Sequence, residues 1–116
     1  MTRLAIIFSL LFATPAWAES RPDYVNYEHY KTLKESDPDA LGLYLKGIFE
    51  GTTWHNTWAE ATKKGFKLYC ITDRLPPNTI LEKAIETAYS ANPEESADTP
   101  LPLLGIHGLT LLYPCD

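Results

Sequence analysis

The chain has 116 residues, 45% of them hydrophobic, with 10 Lys and Arg against 15 Asp and Glu and a formal net charge of −5. That length predicts one domain, whose core is large enough to fold but only marginally. The acidic balance and the lack of a basic stripe argue against nucleic acid or an anionic lipid surface as partner and suit a basic protein surface instead.

Residues 1–18 read as a secretory signal, with Arg3 near the start, an apolar run from Leu4 to Ala13, and the small-residue ending Ala16-Trp17-Ala18. The run is shorter than the roughly 20 residues that a bilayer span needs. The expected product is therefore a single domain over residues 19–116, exported to the periplasm and off the membrane once the signal is cleaved. An uncleaved N-terminal anchor is the alternative. The chain holds 2 cysteines, Cys70 and Cys115. In an oxidising compartment such a pair in a small domain reads as one disulfide, and closing a loop of that length is worth roughly 4 kcal/mol in the chain-entropy model.

The predicted elements are all helical, about four in number. "VNYEHYKTLKES" places Tyr24, Tyr27, Tyr30 and Leu33 every three residues and suggests a short first helix. Asp37 followed by Pro38 is a start signal for a long second helix. Its Lys46, Glu50, Thr53, Thr57, Glu60 and Lys64 fall on one polar arc, while Leu41, Tyr44, Leu45, Ile48, Thr52, His55 and Ala59 face the other way. Gly47, Gly51, Trp54 and Trp58 continue the apolar side, which predicts a second helix crossing closely at the two glycines and tryptophans buried beside it, an aromatic platform for a sugar or peptide being the alternative. Gly65 is the expected stop, with Lys63 and Lys64 near the negative helix end. A third helix is expected from a capping box of Thr79 and Glu82, with Ile80, Leu81, Ala84, Ile85, Ala88 and Tyr89 inward, ending at Asn92-Pro93. A last helix follows Thr99-Pro100 and runs through Leu103, Leu104, Leu109, Leu111 and Leu112 to Tyr113.

Residues that could carry chemistry are sparse. A Cys70–His107 nucleophilic pair conflicts with oxidation of Cys70. The serines lack flanking glycines of the kind found in a nucleophile elbow. His29, His55 and His107 show no metal-ligand spacing, and His55 reads as a core residue. No Gly-rich phosphate loop occurs, and neither a metal nor a cofactor is expected. Two loops remain as candidate surfaces: "DRLPPNT", stiffened by Pro76 and Pro77 next to Cys70, and the acidic "ANPEESADTP".

"LYLKGIFEG", "LYCI" followed by a capped helix, "ANPEE" and the terminal "LLYPCD" resemble, in order and spacing, the Tai-type immunity proteins of type VI secretion systems. The resemblance runs from about Leu43 to Cys115. It implies an exported all-helical domain with a Cys70–Cys115 disulfide, without enzymatic activity, that blocks a secreted peptidoglycan amidase; dimers with an inserted loop also occur in that family. The sequence departs from the family after "CI", where "TDRLPPNT" replaces a compact glycine-containing turn. The expected contact residues are Glu94, Glu95 and Asp98, with Arg74 and Leu75 as the second choice. The alternatives are an acid-activated periplasmic chaperone of the Hde type, which would expose apolar surface at low pH, and an orphan family member with another binding partner.

Overall fold

Asn26 opens the first helix by a reciprocal cap. Its side chain accepts from the His29 amide at 3.0 Å, while His29 Nδ1 accepts from the Asn26 amide at 3.2 Å, so two donors of the helix start are satisfied. The structure, a computed structural model, describes residues 24–116; the expected export signal lies outside the described residues. Within them the protein is all-α, 71% helical in five helices with no strand. Helix α1 (Tyr27–Ser36) buries Tyr27 and Tyr30.

Asp37 acts as the expected cap, accepting from the Ala40 amide at 3.1 Å, and Pro38 begins helix α2 (Pro38–Thr62). At 25 residues, α2 is about 37 Å long. It stops earlier than expected, because Lys63 already takes the left-handed conformation (φ 54°) and Gly65 (φ 75°) adds a second such step. The chain then runs back along α2 without regular structure. The Asn56 amide holds this stretch as a neighbouring strand would, donating to the Tyr69 carbonyl at 3.0 Å and accepting from the Leu68 amide at 2.7 Å. Tyr69 is buried, and its hydroxyl meets Thr52 Oγ1 at 2.6 Å.

Helix α3 (Pro77–Ala91) starts two residues ahead of the expected Thr79 cap, without a side-chain cap of its own. Pro77 accounts for this: its ring presets the helical φ, and its missing N–H is one the first turn would leave unpaired. Asn78 instead donates to the Gly42 carbonyl at 3.0 Å and ties the start of α3 to α2. A one-turn helix α4 (Pro93–Ser96) stands where a plain loop was expected, and α5 (Leu101–Leu112) follows. Thr99 does not cap α5. Pro100 precedes it, and the Leu101 amide is satisfied by the Val25 carbonyl at 2.7 Å.

The centre of the molecule is the α3–α5 pair, with Leu81, Ile85, Leu101, Leu104 and Leu109 fully buried beside Tyr30 and Leu45. The close helix crossing lies here and not at Gly47 and Gly51, which meet nothing within 4 Å. A side chain on Gly105 would press on Leu81, and one on Gly108 would run into the Ala84 backbone. Two further expectations fail for a related reason. Trp54 (69% exposed) and Trp58 (50%) lie outside the core, and His55 is exposed and bonds the Phe66 carbonyl at 3.2 Å. Helix α2 outruns the 15-residue α3 and the 12-residue α5, so the far half of its apolar arc relies on the returning chain, which covers Ala59 and Thr52 but leaves Trp54 and Trp58 open.

Candidate functional site

The disulfide predicted from the two cysteines is present. Cys70 and Cys115 are joined with Cα atoms 5.1 Å apart and lie 45 positions apart in sequence. Next to it the Cys70 amide donates to the Tyr113 carbonyl at 2.8 Å, and the Tyr113 hydroxyl donates to Asp73 Oδ2 at 3.0 Å. Burial, and after it the bond to the Asp73 carboxylate, pushes the Tyr113 phenol up. The sulfur of Cys70 is thereby consumed, and no thiolate is available to pair with His107.

These bonds also hold the base of the 73–78 loop. Arg74 and Leu75 project from it into solvent. Between this loop and α2 lies a groove of about 440 Å³, whose walls include Thr53, Asn56, Glu60, Lys67, Asp73 and Leu75. Its charged groups are engaged: Lys67 pairs with Glu60 at 3.1 Å, and Asp73 accepts from Tyr113. Among the described residues no three of His, Cys, Asp and Glu come together as a metal-binding group.

The acidic segment is better ordered than a connector requires. Asn92 Oδ1 accepts from the Glu95 amide and Asn92 Nδ2 donates to Glu95 Oε2 at 2.8 Å, which fixes the Glu95 carboxylate on α4. Ser96 is buried and donates to the Ala88 carbonyl at 3.3 Å, anchoring α4 on α3. Thr99 Oγ1 donates to the Glu95 carbonyl at 3.0 Å, and the Tyr24 hydroxyl to the Asp98 carbonyl at 2.7 Å. Glu94, Glu95 and Asp98 all remain exposed. Beside them a hollow of about 320 Å³ opens between α4 and α5, lined by Asn92, Glu95, Thr99, Leu103 and His107 among others.

The two candidate surfaces are not brought together. Helix α4 sits on the Ala88 end of α3, whereas the 73–78 loop precedes the Pro77 end. Sequence reasoning did not find the hollow, on whose rim Leu103 stands 57% exposed. The signal available was its place one residue before the buried Leu104, on the outer side of a helix whose inner side is Leu101, Leu104, Gly105, Gly108 and Leu109. No protein-family model, curated protein or solved structure matches the chain.

Proposed function

We propose that the protein is a periplasmic immunity protein of the Tai type, which binds a type VI secreted peptidoglycan amidase and blocks its groove without catalysing a reaction itself. The observation that carries the reading is the ordered set "LYLKGIFEG", "LYCI", "ANPEE" and "LLYPCD" on one all-helical, disulfide-closed chain. The pinned acidic segment supports it too. An inhibitor gains affinity when its contact segment is ordered before the encounter, because the ordering cost is then met during folding, and Ser96, Thr99, Asn92 and Tyr24 provide that order here. Glu94, Glu95 and Asp98 would meet a basic rim, with the hollow by Leu103 taking an apolar or cationic side chain of the amidase.

The test is capture of an amidase encoded beside this chain, followed by association rates at two ionic strengths. Glu94→Lys with Glu95→Lys is expected to slow association strongly at low salt and less at high salt, with the melting temperature nearly unchanged. Unaltered association would remove α4 from the interface. Loss of binding in Arg74→Ala or Leu75→Ala would place the contact on the loop beside Cys70.

A further inference from the structure

The net charge of −5 conceals an uneven distribution. Between Glu60 and Asp73 the chain carries no carboxylate but has Lys63, Lys64 and Lys67, three of its 10 basic residues. Glu60 is already tied to Lys67, while Lys63 and Lys64 are exposed and form no ion pair with any described residue. This cationic turn caps the overhanging end of α2, where the large exposed aromatics also gather. Trp54 (69% exposed) and Trp58 (50%) lie one helical turn apart, and Phe66 (76%) follows in the returning chain. His55 draws them into one patch, its ring 6.0 Å from that of Trp58 and its Nε2 on the Phe66 carbonyl, and Gly65 lies against Trp58.

We propose that this end of α2 docks the protein on a bilayer surface carrying anionic headgroups. Tryptophan and phenylalanine side chains at the rim of a polar domain suit the headgroup level, where an aromatic ring is half in water and half in acyl chain. Lysines beside them add attraction to anionic lipid. Whole-chain repulsion does not prevent this. Charges more than a Debye length of about 8 Å from the surface are screened at physiological salt, and the acidic α4 is held on the Ala88 end of α3, away from the Cys70 side where the returning chain joins. Glu50, four residues before Trp54, lies 4.0 Å from Lys46. An acidic protein surface would use the same charges. Lysine is depleted at the centre of protein interfaces, however, and its pairing here with exposed indoles favours lipid.

The inference stands apart from the amidase reading, and its test contains no amidase, so either can fail alone. The chain recovered after export is sedimented with phosphatidylglycerol–phosphatidylcholine vesicles and with phosphatidylcholine alone, next to Lys63→Glu/Lys64→Glu and Trp54→Ser/Trp58→Ser variants prepared identically. Trp54 and Trp58 are the only tryptophans outside the expected signal, so their emission should shift to the blue on binding. Wild type should partition onto the anionic vesicles, and the double lysine variant should do so at least ~20-fold more weakly, while both variants keep the wild-type melting temperature. Absence of partitioning, or equal partitioning of wild type and both variants, would overturn the proposal. So would release of a bound protein by these substitutions when the wild type ignores vesicles.

Discussion

A methyl group on Gly108 would be driven into the Ala84 backbone, where α5 crosses α3, whereas one on Gly47 would meet nothing within 4 Å. Gly108→Ala should therefore destabilise by about 3 kcal/mol, the upper range for overpacking a core. Gly47→Ala should stabilise by about 1 kcal/mol, the helix-propensity difference at an exposed site. Denaturant midpoints of the two variants check this, and a stable Gly108→Ala would mean that the crossing is looser than described. Tyr27 makes a second residue-level test. Its ring stacks on Tyr89 with centroids 3.7 Å apart, and its hydroxyl donates to Glu86 Oε2 at 2.8 Å. Burial first, then the bond to Glu86 and its charge, pushes the phenol from 10.0 up to about 12. The native state thus keeps a proton that the unfolded chain loses, so this contribution is complete below pH 10.0 and disappears as pH rises through about 12. Buried Tyr30, whose hydroxyl finds no partner among the described residues, is raised further and adds to the same decline. Tyr27→Phe should flatten part of that alkaline loss and cost about 1 kcal/mol at neutral pH, as read from unfolding curves taken between neutrality and the alkaline window. The sequence pointed to Tyr27 and Tyr30 through their three-residue spacing, but not to Gly105 or Gly108. A glycine in an apolar helix looks the same whether another backbone presses on it or nothing does.

At the scale of elements, every long helix was legible, because start signals such as Asp37-Pro38 and the 3.6-residue pattern are local properties of the chain. Burial along α2 was legible only in part. Leu41, Leu45 and Ala59 are buried as expected, but Trp54 and Trp58 are not. A helical wheel shows which residues share a side; it does not show how far the partner helices extend. The caps of α3 and α5 were misplaced because proline at the first helical position can begin a helix without Thr79 or Thr99. The disulfide joins the end of α5 to the segment that returns from α2, and Tyr69 and Asn56 hold that segment from the other side. Cys115→Ser should destabilise by roughly 2 to 4 kcal/mol, with the helical signal retained at low temperature because the α3–α5 core is untouched. Equal denaturant midpoints for the oxidised wild type and the mutant would show that the bond has no structural part.

On the scale of the whole molecule, charge separates along the fold. Glu94, Glu95 and Asp98 project at the Ala88 end of α3, and Lys63 and Lys64 project where α2 overhangs its partners. The acidic segment was legible as charge in the sequence; its order was not, since it depends on Tyr24 and Ser96 reaching contacts at 74 and 8 residues' separation. An ordered acidic surface on a disulfide-closed helical domain is the physical content of the immunity reading. The most direct test of it is hydrolysis of peptidoglycan cross-links by a candidate amidase, one that a neighbouring gene would encode, measured as the chain is added in increasing proportion. The account predicts that hydrolysis falls to background as the chain approaches equimolar amounts, and that Glu94→Lys/Glu95→Lys requires a clear excess to do the same. Hydrolysis that continues unchanged with the folded, oxidised protein in excess would contradict it.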